Sequence, residues 1–394
     1  MRVAHLADVH LGHRAFARTH PSGINVREAD VVAAFRRAVD DVVRAKPDLV
    51  VIAGDFFDMP RPHNAIAHEA YRQLSRLAAA APVVLVGGNH DAPRTAAHGN
   101  LLRLFGEIPG VHVVVDAPEV VQLAGVAVLA VPHGAGVGER ALGRLLRSAD
   151  TVSRLSGMRK LLVVHAAIQS KDGAVSYGER LPVELFAPGR WEYIAAGDYH
   201  VAAELAPNAW YSGSLEYVSS DIWSEARGGV PKGWLLADCS GRRVAVESRP
   251  VALNREVIDL TPIDAAGLTA EDLSRAVLDA AEGVCFGKGP TGHVLRQVVA
   301  GIHRALEEDL AWPAIRALKE HALHYQLVLQ RPVRQRASLG IPQEEAAAPV
   351  RTLPDVLADF VANTWTAEAG IPRERVLASA AGFLSRTESA AGGA

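Results

Sequence analysis

Five short apolar runs in the first 200 residues each end on side chains that can hold a metal ion. Ala7-Asp8-Val9-His10 closes the run 3–6, Gly54-Asp55-Phe56-Phe57-Asp58 closes 49–53, and Gly87-Gly88-Asn89-His90-Asp91 closes 82–86. His165 follows Leu161-Leu162-Val163-Val164, and Asp198 and His200 follow Tyr193-Ile194-Ala195-Ala196. Asp, His, Asn and a bridging Asp are the ligand set for a pair of divalent cations. Asp8 and His10 stand two apart, as do Asp198 and His200, so an extended chain would put each pair on one face. Asp55 has two oxygens and could bridge two ions. His90 directly follows Asn89, so an extended backbone turns it to the other side; it reads as an acid or electrophile rather than a ligand. Asp58 reads either as an assisting carboxylate or as a helix cap. One such pair alone is no more than a loop aspartate and a surface histidine, but five strand ends together are hard to produce by accident. No Ser-His-Asp or Cys-His arrangement competes.

The elements that must position these groups are legible around them. Val31, Val32, Phe35, Val39, Val42 and Val43 share one face of a helix over 27–45, which Pro47 ends. Leu49-Val50-Val51-Ile52 is apolar without alternation, as expected of a parallel strand covered on both faces. Residues 64–80 form a second helix on the line Ile66, Ala70, Leu74 and Leu77. In open α/β sheets the carboxyl edge of such strands is where sites are built. Short strands at 111–115, 119–123 and 126–131 suggest that the sheet continues in antiparallel fashion. His133 follows the last of them and reads as a core or rim histidine. Residues 138–156 contain another helical stretch, and 208–249 read as β-rich and as completing a second sheet.

A chain of 394 residues is too long for one ordinary core, so two or three domains are expected. With 49% hydrophobic and 22% charged residues and a formal charge of −3, the composition is globular and advertises no global affinity for nucleic acid or membrane. Cys239 and Cys285 make no disulfide framework. No apolar run approaches a membrane span, and no signal-peptide core precedes Asp8, so a soluble cytoplasmic protein is expected.

The order Asp-x-His, Gly-Asp-x-x-Asp, Gly-Asn-His-Asp, a lone His, then Gly-x-x-His resembles the calcineurin-like metallophosphoesterase superfamily over residues 1–200. Within it, His5-Leu6-Ala7-Asp8-Val9-His10-Leu11-Gly12, Gly88-Asn89-His90-Asp91-Ala92-Pro93-Arg94 and Tyr211-Ser212-Gly213-Ser214-Leu215-Glu216 are similar to the SbcD-type nucleases of double-strand-break repair. The resemblance implies an α/β fold: a two-sheet αββα sandwich with a smaller α/β cap and a C-terminal helical segment. It implies one metal on Asp8, His10, Asp55 and His200, and a second sharing Asp55 and taking Asn89, His165 and the residue at Asp198. The family has His at that last position, so Asp198 departs from it; a carboxylate can still ligate and favours a harder ion such as manganese over zinc. By the same resemblance the two cations are Mn2+, His90 assists departure of the leaving oxygen, and the chemistry is phosphoester hydrolysis. Two metals about 3.5–4 Å apart lower the pKa of water and neutralise the charge of an in-line transition state.

Beyond the first 250 residues, which form the nuclease-like domain, residues 251–333 read as a small α/β cap of the kind the family sets beside its site. Strands are expected at 257–260, 294–300 and 325–329, and helices at 270–281 and 312–323. Between 285 and 340 eight basic residues stand against four acidic ones, which fits contact with a phosphate backbone. Arg61, Arg94, Lys288, Arg296 and Arg304 are the DNA-contact candidates. Residues 334–350 read as a linker by composition. Residues 351–386 then hold two amphipathic helices, on Leu353, Val356, Leu357, Phe360, Val361 and Trp365, and on Val376, Leu377, Ala380, Phe383 and Leu384. The family uses such a segment to bind the coiled coil of an SbcC-like, SMC-type ABC ATPase; packing back on the same chain is the alternative. The family also dimerises. The expectation is therefore a two-metal DNA exonuclease or endonuclease of an SbcCD-like complex. Its rivals are a phosphoesterase acting on a nucleotide or small phosphodiester, and a non-catalytic binding module that retains the fold.

Overall fold

The computed structural model describes residues 1–332 apart from 94, 96–98, 124, 135–140, 142, 146–147, 149–153, 170–180 and 285–291. Arg94, Lys288 and Cys285, the linker at 334–350 and the helical segment at 351–386 lie outside the described residues. Residues 1–332 make one compact unit.

Two six-stranded sheets pack face to face. The first has the order β14-β13-β1-β2-β3-β4, with β1 (Arg2–Leu6), β2 (Leu49–Ala53), β3 (Val83–Val86), β4 (Val111–Val114), β13 (Gly233–Asp238) and β14 (Ala245–Pro250). The second has the order β11-β12-β10-β7-β6-β5, with β5 (Glu119–Leu123), β6 (Val126–Val131), β7 (Arg159–His165), β10 (Tyr193–Gly197), β11 (Ala203–Ala206) and β12 (Ala209–Tyr211). A short parallel pair, β8 (Ile168–Gln169) with β9 (Leu181–Pro182), stands apart. Every residue of β2 and β3 is buried, because helices cover one face and the second sheet the other. On β2, Val50 and Ile52 face the helices while Leu49, Val51 and Ala53 face the other sheet. The helix α1 (Val26–Ala45) starts where the Asn25 side chain accepts from the Arg27 and Glu28 amides, and α2 (Asn64–Ala80) packs beside it on the outer face. The outer face of the second sheet is covered by Phe186, Trp191 and Leu155.

Two expectations about strand placement are corrected. β4 is parallel to β3, so the first sheet does not turn antiparallel there; of the three strands at 111–131, β5 and β6 form the antiparallel pair, in the second sheet. β13 and β14 do not complete the second sheet. They extend the first, with β13 antiparallel to β1 at Val3↔Ala237. Of the 208–249 segment, only β12 joins the second sheet, beside β10.

Residues 257–329 build their own small sheet, all parallel: β15 (Val257–Asp259), β16 (Ile263–Asp264), β17 (Val294–Ala300) and β18 (His324–Leu329), with β17 between β15 and β18. Helices Ala270–Glu282 and Trp312–His321 cover it around a core of Leu273, Val277, Leu295, Val299 and Ile315. No helix among the described residues is long and apolar enough to cross a membrane.

A buried polar pair sits between the two large sheets. His5 on β1 is fully buried, and its Nδ1 lies 3.0 Å from the Tyr193 hydroxyl on β10. Burial pushes its pKa down to about 3, against a smaller opposing pull from the Ala196 backbone. Unfolded, the ring titrates near the ordinary 6.5. Below that pH the unfolded chain takes up a proton that the native state refuses, so stability present above pH 6.5 is lost as pH falls toward 3. The slope from this one ring is about 1.4 kcal/mol per pH unit. In metal-stripped protein, urea unfolding at pH 6.5 and 4.5 should therefore show a shallower acid loss for His5→Leu, by about 2–3 kcal/mol across that interval. An unchanged difference would mean that His5 is already protonated in its native site.

Candidate metal centre

The carboxyl ends of β1, β2 and β3 meet those of β7 and β10 at one end of the sandwich. Past β1 and β2 the two chains stay paired: the amides of Asp8, His10 and Leu11 donate to the carbonyls of Gly54, Asp55 and Phe56, at 3.1, 3.0 and 2.9 Å. The backbone here is not extended. Asp8 and His10 both have φ +49, Asp55 has +47 and Asp198 has +106. A non-glycine residue in this region carries about 1–3 kcal/mol of strain and persists where surrounding structure enforces it. Asp8 and His10 thus converge because their backbone is left-handed, not because an extended strand alternates.

Around one position, the Nε2 atoms of His10 and His200 face each other at 3.3 Å, and His10 Nε2 lies 3.6 Å from Asp55 Oδ2. Asp8, His10 and His200 offer ligand atoms within 4.8 Å of one another. Around the other, His165 Nε2 faces Asn89 Oδ1 at 2.9 Å, Asp55 Oδ2 at 3.5 Å and Asp198 Oδ1 at 3.6 Å. Donor atoms bound at about 2.1 Å to a common ion are roughly 3.0 Å apart on an octahedral edge and roughly 3.4 Å apart in a tetrahedron. The observed spacings match, so the donor set fits two divalent cations sharing Asp55. Glycines make room for it. A Cβ on Gly54, where φ is +89, would enter the His165 imidazole, and one on Gly88 would enter the Asp55 carboxylate.

Hydrogen bonds set which ring atoms face inward. His165 Nδ1 lies 2.9 Å from the Ala53 carbonyl, which leaves Nε2 as the facing atom. His10 Nδ1 lies 3.2 Å from Asp58 Oδ1, which also holds His13 Nδ1 at 3.0 Å. Asp58 caps no helix; α2 begins six residues later, at Asn64. Its backbone carbonyl takes His90 Nδ1 at 2.8 Å, leaving His90 Nε2 available at the exposed mouth. The His90 amide donates to Asp55 Oδ1 at 2.9 Å. Asp91 is buried behind them and accepts amides from Gly88, Phe56 and Phe57, tying the second and third strand ends together. His133 lies exposed on the rim, its ring 6.0 Å from that of His165.

The charges are those of a cation-seeking pocket. Burial would lower the proton affinity of His165, but Asp55, Asp8 and Asp198 outweigh it and push the pKa up to about 10. Burial pushes Asp8 up to about 6, with Asp55 and Asp198 adding to it against His200 and His165. His10 is pushed down to about 4 by burial despite Asp58 and Asp55.

Two residues of this neighbourhood carry no sequence signal. Glu225, on the short helix Ile222–Gly228, places Oε1 3.7 Å from His200 Nδ1. Buried Lys232 pairs with the same carboxylate and donates to the His200 carbonyl at 2.7 Å and to Ser214 Oγ at 2.9 Å. Burial would raise Glu225, but His200 and Lys232 hold it down at about 2. The Tyr211–Glu216 block finds its role here: Ser214 meets Lys232, and Glu216 meets buried Arg27 of α1 at 3.0 Å.

The basic candidates fare unequally. Arg61 is exposed on the loop after Asp58. Arg296 is held by both Asp259 oxygens at 2.9 and 2.8 Å and lies over the Trp223 ring, so it braces the small sheet against helix Ile222–Gly228. Arg304 makes an exposed pair with Glu308 at 3.0 Å.

The family model described as calcineurin-like phosphoesterase matches residues 1–202. Among similar curated proteins is the DNA double-strand break repair protein Mre11 of Methanococcus maripaludis, 25% identical over 276 residues that cover 65% of this chain and 70% of the relative. The protein of the same name from Aeropyrum pernix is 29% identical over 212 residues, 50% of this chain and 49% of its own. The SbcD component of the nuclease SbcCD of Bacillus subtilis is 33% identical over 147 residues, 35% of this chain and 36% of its own. The chain thus spans half or less of two of these three relatives.

Proposed function

Because the chain belongs to the calcineurin-like phosphoesterase family, we propose that it is a metal-dependent DNA repair nuclease that hydrolyses phosphodiester bonds at this centre. One observation carries the hydrolytic reading: two sets of nitrogen and oxygen donors, at ligand spacing, share the Asp55 carboxylate. The names of the relatives supply DNA as the substrate. Asp8, His10, Asp55 and His200 would hold one cation, and Asp55, Asn89, His165 and Asp198 the other. When bound, the pair supplies Lewis-acid charge on the phosphate oxygens and a lowered pKa for the attacking water. Asp58 orients His10 through its side chain and His90 through its carbonyl. His90 Nε2 then carries the proton for the leaving oxygen. Exposed Arg61, three residues after Asp58, would meet the DNA backbone, and Arg304 could exchange Glu308 for a phosphate. As further parts of the proposal, the cations are Mn2+, an SbcC-like ATPase docks on 351–386, the chain pairs as a homodimer, and the protein works in the cytoplasm.

The test is hydrolysis by purified protein with manganese, of linear duplex DNA beside a small chromogenic phosphodiester, with metal content measured on the same sample. DNA degradation that Asp55→Ala abolishes is the expected result. Turnover of the small diester alone would move the substrate to a nucleotide or other small phosphodiester. Two bound metals with neither activity would sink the autonomous nuclease.

Glu225 gives a separate expectation. A carboxylate behind a ligating imidazole orients the ring and raises its basicity, and its loss weakens metal binding about 10–100-fold. Glu225→Gln keeps the shape and removes the charge, so its Mn2+ dissociation constant should rise by that factor. Equal constants for the two proteins would make the contact purely structural.

A further inference from the structure

We propose that the two cation positions differ in how readily they exchange Mn2+ for Zn2+, and that Asp198 is the residue that makes them differ. The inference rests on the two-cation reading above and concerns how firmly each position keeps Mn2+. Around His10 the facing donors are two imidazole nitrogens, from His10 and His200, and carboxylate oxygens from Asp8 and Asp55. Around His165 they are one imidazole nitrogen and three oxygens, from Asn89, Asp55 and Asp198. Imidazole favours zinc, iron and copper, whereas carboxylate and amide oxygen suit manganese and magnesium. The first position therefore gives up Mn2+ to a borderline ion such as Zn2+ more readily than the second.

The donor count at the second position is fixed by structure rather than by rotamer choice. His165 has its Nδ1 tied to the Ala53 carbonyl, so it contributes Nε2 alone. The Asp198 amide donates to the Asp8 carboxylate at 3.1 Å, which straps its backbone to a ligand of the other position. Its φ of +106 is tolerated by Asp better than by most residues, and its side chain is three-quarters covered and points to His165. The carboxylate also adds a third negative charge to those of Asp8 and Asp55, where the family pattern has a neutral histidine. Extra anionic charge raises affinity for any cation, but the exchange of nitrogen for oxygen narrows the advantage of zinc over manganese at this position only.

The experiment loads metal-free protein with two equivalents of Mn2+ and titrates it with Zn2+. Released Mn2+ is read by its free-ion paramagnetic resonance, and protein-bound metals by elemental analysis after gel filtration. The wild-type protein should release one Mn2+ at the first equivalent of Zn2+, and the second only at free Zn2+ at least about tenfold higher. In Asp198→His the two should leave within about threefold of each other. Simultaneous release from the wild type overturns the inference, whatever the variant does. Two separated steps that persist unchanged in Asp198→His also overturn it, because the asymmetry then lies elsewhere. A wild-type protein that holds fewer than two Mn2+ removes the two-cation reading itself. If the variant does not fold, the wild-type steps alone decide.

Discussion

Asp55→Ala leaves the protein with neither cation and lowers hydrolysis by about 10^4-fold or more, equivalent to about 5–6 kcal/mol of lost transition-state stabilisation. The reason is geometric. Asp55 Oδ2 stands 3.6 Å from His10 Nε2 and 3.5 Å from His165 Nε2, so one carboxylate serves both donor sets. His165, His10 and His90 outweigh its burial and hold it well below the usual carboxylate range, ready to ligate as the anion. The backbone matters to the choice of variant, since φ at this residue is +47. Alanine there adds about 1–2 kcal/mol of strain that asparagine largely avoids. Asp55→Asn is therefore the companion variant: it folds with less strain, keeps one oxygen donor and still loses the bridge. Metal content by elemental analysis, with circular dichroism as the folding check, decides the matter. Retention of both cations by Asp55→Ala would remove Asp55 from the shared position.

His90→Ala separates chemistry from metal binding. Hydrolysis falls about 10^2–10^4-fold, the usual contribution of a positioned general acid, while both cations stay. The structure predicts the separation because His90 holds Asp55 through its backbone amide, at 2.9 Å, and that amide survives the substitution. Its imidazole is instead anchored on the Asp58 carbonyl and stands at the solvent-exposed mouth. A substrate with a better leaving group should recover much of the lost rate, since it needs the proton less. Equal metal loss in His90→Ala and Asp55→Ala would end this division of roles.

The small α/β unit is joined to the centre by one short helix. Ile222–Gly228 carries Glu225 toward His200, and it turns Trp223 toward Val257, Val294 and Leu323. Arg227 and Arg296 both reach Asp259 on β15. A second strap runs from the loop after His10: Phe16 stacks on His324 at 4.1 Å, and Arg18 donates to the Glu320 carbonyl near the end of helix Trp312–His321 at 2.9 Å. Residues on both sides of the His10–His200 pair therefore brace the small sheet. Arg296 belongs to this bracing.

The sequence by itself determined the strands that end at the centre, both helices on the outer face, and the residues that could ligate. These follow from local pattern. An apolar run closed by Gly-Asp or Gly-Asn-His is visible within ten residues, and α2 occupies 64–80 as its periodicity requires. The same is true of the small unit, whose strand–helix alternation is local. Tertiary structure decided what local pattern cannot carry. Asp8 and His10 converge through left-handed backbone enforced by β2, not through strand alternation. β13 is apolar enough for either sheet, and it joins β1 because pairing across more than 200 residues, as at Val3↔Ala237, selects the partner. Asp198 could have pointed away; its amide bond to Asp8 and its aim at His165 turn it inward. Glu225 and Lys232 are single polar residues with no repeat around them, and only the folded chain brings them to His200. Periodicity records which face a residue needs to bury, whereas the partner it meets there is set by contacts far away in the chain.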